Sequence, residues 1–366
     1  LDELTYDKLA DAIKRRGGGV PTVKCQDFHD IMEELFTEEE ARLAAILPET
    51  PASADMLIEQ AKLSQAELEK HLESMARKGT LFSIKIGDKR YYVLFPLVPG
   101  MMENQLLTGI VNDRTKKIAK LFAGYFVSLS KKGATTENTF SKVPYARIIV
   151  VDQNIPDGRT IQPYDKLKSY IEKAKDIAVV TCHCRQMGEL LGDPCAKPKD
   201  VCMAVGPGAH YMAEYGLGKA ISREEAYKVL ERAEEEGLVH SVSNTGKYID
   251  FICNCCICHC ETLKSLKKYG HRGAAALSSF ISKVDADECI GCGDCTARCP
   301  MEALTMKEEL AVVDEKRCIG CGLCIRSCAS GAIKMHNREA APVPFVDAKQ
   351  LNEAIVASIQ PKKGQD

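Results

Sequence analysis

Five cysteines crowd into ICNCCICHC, residues 252–260, and four more, Cys182, Cys184, Cys195 and Cys202, lie in TCHCRQMGELLGDPCAKPKDVC. Thiolates in such density select iron–sulfur clusters, zinc or copper(I). Left without metal, they would be exposed to oxidation. Each group follows a stretch that reads as a buried strand, and two strand ends of one sheet can meet at the same edge. On extended chain the thiols of a C-x-C pair face awkwardly for one iron. Cys182, Cys184, Cys195 and Cys202 are therefore expected to act as joint ligands with Cys253, Cys255, Cys256, Cys258 and Cys260. One or two additional iron–sulfur clusters are the expected cargo, with zinc or a redox dithiol as alternatives. Arg185, His183 and His259 lie among these cysteines and could tune or ligate a cluster, but read more readily as hydrogen-bonding neighbours or exposed side chains.

A second pattern is an internal repeat. CIGCGDCTARCPMEAL, starting at Cys289, returns as CIGCGLCIRSCASGAI, starting at Cys318. Each copy has C-x2-C-x2-C-x3-C spacing, in which three cysteines grip one cubane and the fourth reaches the neighbouring one. One cluster is then expected on Cys289, Cys292, Cys295 and Cys328, and the other on Cys318, Cys321, Cys324 and Cys299. Gly291, Gly293, Gly320 and Gly322 let the loops turn sharply and aim N–H groups at sulfur. Residues 280–336 resemble 2x4Fe-4S bacterial-type ferredoxins, which implies two 4Fe-4S clusters. Ala329 departs from that pattern, where a proline is expected as at Pro300, but removes no ligand.

Of the 18 cysteines in 366 residues, only Cys25 precedes residue 180. Cys25 itself reads as a small core residue on a helix. The start LDELTYDKLADAIKRR is a charged amphipathic helix rather than an apolar leader, and YYVLFPLVPGMM is too short and broken to span a bilayer. The expectation is a cytoplasmic protein with no transmembrane segment, where disulfides are rare. Lys plus Arg number 49 against 51 Asp plus Glu, so no basic excess points to nucleic acid.

The elements that must position this chemistry are legible in outline. In the front region, Ser64 with Glu67 marks a capping box before Leu68, Leu72, Met75 and Ala76 at helical spacing, and Gly79 stops that helix. TLFSIKI and RYYVLF flank a GDK turn. Residues 37–97 thus resemble a winged helix-turn-helix domain. Residues 100–130 read as one amphipathic helix and KKGATTENTFSKVP as a linker. ARIIVVD, the helix YDKLKSYIEKA and DIAVVTC read as a β-α-β arrangement ending at Cys182. A Ser222-capped helix with Glu225 closing its box leads to two strands around NTG, and DAKQLNEAIVASIQ reads as a further helix.

The fold class expected is α+β multidomain: a winged-helix-like N-terminal domain (1–130), an α/β cysteine-rich middle domain (146–270), a two-cluster ferredoxin-like domain (280–336) and a tail with a docking helix (337–366). The succession of CHCR, SREEAYKVLERAEEEGLVH, ICNCC and the repeat resembles cysteine-rich 4Fe-4S-binding proteins of anaerobic microbes, over roughly residues 1–336. That resemblance implies cofactor and compartment, not substrate.

Electron transfer in an anaerobic oxidoreductase complex, with protein redox partners, is the reading preferred here; a homo-oligomer is left open. A reductase with the middle cluster as active site is the alternative, and an iron–sulfur transcription regulator a third. Between Thr37 and Gly79, nine acidic residues stand against five basic, the wrong sign for phosphate binding. No flavin or nicotinamide fingerprint is visible, so electrons are expected from another protein.

Overall fold

The computed structural model describes residues 2–131, 141–150, 166–270 and 273–359. Most of the expected linker, the last residues of ARIIVVD, the start of YDKLKSYIEKA and the end of the tail fall outside these residues.

The front region is helical, with α1 (Glu3–Arg15), α2 (Gln26–Leu35) and α3 (Glu38–Ile46), then β1 (Ala52–Ser53), α4 (Ala54–Ala61), α5 (Gln65–Arg77) and the hairpin β2 (Leu81–Ile86) and β3 (Lys89–Leu94). The capping box of Ser64 and Glu67 is formed, and α5 buries Leu68, Leu72, Met75 and Ala76. Burying each leucine contributes about 2 kcal/mol. The strands order β1-β3-β2, with Leu81 opposite Leu94 and Ile86 opposite Lys89 around the turn. Cys25 is the residue before α2 rather than within it; it is half-buried against the core of this region.

Thr37 and Glu40 form a second capping box, at α3. The Glu40 side chain is 2% exposed and also accepts from Lys78 Nζ at 2.5 Å and Ser74 Oγ at 2.6 Å. Burial alone would raise this carboxyl's pKa, but the bonds from Lys78, Ser74 and the Thr37 backbone hold it below the ordinary value. A depressed folded pKa stabilises the protein above the unfolded value near ~4.3, and that contribution fades as pH falls through the folded one. Glu40→Gln is therefore expected to cost about 2–3 kcal/mol at neutral pH. Urea titration of the full chain should show that gap narrowing below about pH 4. A gap constant with pH would mean that packing, not charge, holds Glu40.

Residues 100–130 form two helices, not one: α6 (Met102–Asn104) and α7 (Asp113–Lys131). Gly109 closes a turn onto Leu106 with φ +70°, and Asn112 accepts from Thr115 N at 2.9 Å to start α7 afresh. A β-carbon at Gly109 would lie 2.8 Å from Thr181 Oγ1. The apolar spacing continues across the break because both segments face the same interior.

The middle region contains β4 (Ala146–Ile148), α8 (Leu167–Lys173), β5 (Ile177–Val180), α9 (His183–Leu190), β6 (Cys202–Val205), α10 (Pro207–Glu214), β7 (Lys219–Ala220), α11 (Arg223–Glu235), β8 (Val239–Ser243), β9 (Phe251–Cys255), α12 (Glu261–Tyr269) and β10 (Ala275–Ala276). Its seven described strands order β10-β4-β8-β9-β6-β5-β7, antiparallel except for β10 on β4. The expected β-α-β unit is not a neighbouring pair: β8, β9 and β6 lie between β4 and β5. Apolar runs identify strands but not their neighbours, and here the intervening places go to the strands that carry or lead to cysteine. The sheet also extends past residue 270, through β10. The Ser222–Glu225 capping box starts α11.

The last region pairs β11 (Phe280–Val284) with β14 (Ile333–Asn337), and β12 (Leu304–Lys307) with β13 (Leu310–Val313), around α13 (Asp294–Arg298) and α14 (Leu323–Arg326). The tail helix α15 (Ala348–Ile359) lies on its own chain: Leu351 and Ile355 are buried, and Ser358 bonds Ser141 at 2.8 Å. No described helix is long and apolar enough to cross a membrane.

The front and middle regions meet through α10. Tyr211 is fully buried among Phe82 and Phe95 and donates to the Ala76 carbonyl at 2.8 Å. Arg90 of β3 pairs with Glu214 at 2.5 Å, and Arg77 lies over the Tyr215 ring.

Candidate metal centres

In the C-terminal region the two cysteine runs interleave. The thiols that act on Cys295 are those of Cys292, Cys328 and Cys289, while those that act on Cys321 are Cys324, Cys318 and Cys299. Each group of four combines three cysteines of one loop with the last cysteine of the other. Burial pushes the Cys321 thiol well above its ordinary range and Cys324 up to about 12, so loss of their protons needs a compensating cation. Donors to sulfur are already in place. Ala303 N reaches Cys299 Sγ at 3.3 Å, and Ser282 Oγ lies 3.3 Å from Cys324 Sγ. The backbones of Ala311 and Gly291 hold Cys289 below the usual thiol value.

Gly291, Gly293, Gly320 and Gly322 all have φ between +69° and +80°. Two are also close approaches. A β-carbon at Gly320 would meet the Phe280 carbonyl at 2.0 Å, and one at Gly291 the Glu309 carbonyl at 2.6 Å. A small cavity is lined by Cys299, Cys318, Cys321 and Cys324 together with Pro300 and Ile319.

In the middle region the nine cysteines divide. Val180 of β5 pairs with Cys202 of β6, and Met203 pairs with Ile252 of β9. This register brings the end of β5, the start of β6 and the end of β9 to one edge of the sheet. Cys182 and Cys184 lie at the start of α9, just after β5, and Cys260 immediately precedes α12. Six thiols act on one another in turn, in a ring running Cys182, Cys184, Cys260, Cys255, Cys253, Cys202 and back to Cys182. The two neighbouring thiols of each hold Cys182, Cys253 and Cys260 well below the thiol range. The same neighbours, with burial, push Cys184, Cys202 and Cys255 well above it. A cation bound there would displace the remaining protons.

Cys195, Cys256 and Cys258 stand apart from that ring. With one His259 ring nitrogen, their ligand atoms lie within 4.8 Å of one another. Cys195 Sγ is 3.3 Å from Cys258 and 3.9 Å from Cys256. Burial and bonds with Cys256 and Cys195 push Cys258 up to about 12. The nine cysteines thus fall into two groups, each drawn from both chain segments. Alternation on β9 separates them: Cys253 and Cys255 face the ring, whereas Asn254 and, just beyond the strand, Cys256 face the other way.

Arg185 joins the two groups. It is fully buried; Nη1 donates to the Asn254 carbonyl at 3.1 Å, and Nε and Nη2 meet no nitrogen or oxygen acceptor among the described residues. Burial would lower its pKa, yet the sulfurs of Cys182, Cys202 and Cys256 raise it instead. A buried guanidinium whose charge is compensated by sulfur fits an anionic thiolate-bound group at the same place. From Asn254 a polar chain continues: Asn254 Oδ1 to His240 Nδ1 at 2.5 Å, His240 Nε2 to Glu234 at 3.3 Å, and Glu234 to Arg326 of α14 at 2.5 Å. His183 lies beside the ring, with Nε2 3.2 Å from Cys184 Sγ. No local spacing marks this polar chain, whose members are scattered over 142 positions. The placement of His259 was equally hidden, though the Cys-His-Cys run was a hint.

No curated protein and no solved structure matches the chain. Residues 288–332 match the 4Fe-4S dicluster domain family, which together with the eight-cysteine geometry makes this an iron–sulfur protein with a ferredoxin-like, 4Fe-4S-binding region.

Proposed function

We propose that the chain is an electron-transfer protein of an anaerobic oxidoreductase system, with two ferredoxin-type clusters and at least one further iron–sulfur cluster in the six-cysteine ring. Bound clusters supply one-electron transfer; the chain's part is to hold them in series. The observation that carries this reading is continuity of packing. Cys292 is exposed and Ile290 beside it is 68% exposed, which suits a protein partner at that end. Cys289 and Cys295 share an apolar cluster with Cys299 and Cys324, and Cys299, Cys318 and Cys321 share another with Cys255 and Cys260. Residues of the three sulfur sites therefore touch in order, from the surface to the ring. Cys182, Cys202 and Cys260 are almost wholly buried, which favours transfer through the protein over substrate turnover at the ring.

The front region, winged-helix-like in its order of helices and hairpin, is proposed as a docking module and not a reader of DNA. Its acidic balance opposes phosphate, and α10 covers the hairpin while engaging Arg77 and Arg90. Protein purified without oxygen should carry roughly 12–16 irons per chain with matching sulfide, at four per cubane. About eight irons would confine the clusters to the C-terminal region and overturn the wire. A sequence-dependent gel shift of duplex DNA would restore the regulator reading.

A further inference from the structure

We propose that Cys195, Cys256, Cys258 and His259 form a mononuclear zinc site, separate from the iron–sulfur ring. Spacing is the first argument. Zn–S bonds of ~2.3 Å in a tetrahedron hold sulfurs ~3.8 Å apart; the Cys195 sulfur stands 3.3 Å from that of Cys258 and 3.9 Å from that of Cys256, and all four ligand atoms lie within 4.8 Å of one another. A cubane binds each cysteine to a different iron and so holds its sulfurs farther apart than one ion does.

The second argument is the histidine. His259 Nε2 donates to the Asp193 carbonyl at 2.8 Å, which fixes the proton on that nitrogen. Nδ1 is buried and has no hydrogen-bond partner among the described residues. A buried lone pair without a donor costs free energy unless something binds it, and a metal ion does so. The ring's position is set by a close contact. A β-carbon at Gly188 would lie 2.3 Å from His259 Cδ2 and 2.4 Å from Nε2, so only glycine lets α9 approach this imidazole.

Three thiolates and one imidazole complete a tetrahedron and leave no position for substrate, the signature of a structural zinc site. Its work is mechanical. Cys195 lies in the loop after α9, and the other ligands follow β9, 61 to 64 positions later in the chain. One ion joins the two segments and thereby holds α9, with Cys182 and Cys184, against the ring.

The test is metal analysis of the full chain purified without oxygen. One zinc per chain is expected alongside the iron. His259→Ala should lower zinc retention at least ~10-fold, and His259→Cys should restore it by supplying a fourth thiolate. Protein from cobalt-supplemented medium should show the absorption of tetrahedral thiolate-bound Co²⁺, a measurement that needs no variant. Absence of zinc and of the cobalt signal would overturn the proposal, as would zinc retained in His259→Ala. Iron content in the unmodified protein judges the wire independently: zinc without ring iron sinks only the wire, and ring iron without zinc sinks only this site.

Discussion

Replacing Cys253 and Cys255 together with serine should reduce iron from roughly 12–16 to about eight per chain. Both residues project from the same face of β9 into the six-thiol ring, and each acts on a ring neighbour outside the strand, Cys202 and Cys260. Two of six ligands would be lost at once. The ferredoxin-like clusters should survive with their spectrum intact, because none of their eight ligands comes from the middle region. Alkylation of Cys182 and Cys184 should accelerate, since a site built across segments contributes to folding and its loss opens both sides. Zinc should remain. Pairing Cys255→Ser with Cys256→Ser should instead lower both metals, because these adjacent residues belong to different sites. Iron unchanged in the Cys253 and Cys255 variant would exclude the ring as a cluster site.

Arg185→Gln should make the ring cluster harder to reduce. The guanidinium is the buried cation that faces Cys182, Cys202 and Cys256. Reduction adds negative charge, so the cation favours the reduced state. Loss of charge-assisted bonding worth about 1–3 kcal/mol corresponds to a fall of roughly 40–130 mV in a one-electron potential. Arg185→Lys keeps the charge and should recover much of that shift, which a purely structural role would not predict. The C-terminal potentials should move far less. Redox titration followed by electron paramagnetic resonance reads both sets, and an unchanged ring potential in Arg185→Gln would remove Arg185 from the electrostatics of the cluster.

The parts of this architecture visible in the sequence are those with local causes. Ser64 and Glu67, or Ser222 and Glu225, meet because three residues of helix bring them together, whatever the rest of the chain does. The same rule would have found Thr37 and Glu40. The eight ferredoxin-like cysteines are equally local, since loop spacing and the repeat dictate which thiols can grip a cubane. The sequence also determined that the middle cysteines suit metal, through their number and density. Their division into six and three was a tertiary decision. It depends on β6 lying beside β9 in one register, with Met203 opposite Ile252; a one-residue slip would reverse the faces of Cys253 to Cys256. Arg185 and Gly188 gained their meaning in the same way, one facing sulfur from two segments and the other admitting an imidazole from 71 residues away. Register and close approach arise between distant segments, and no spacing along the chain encodes them.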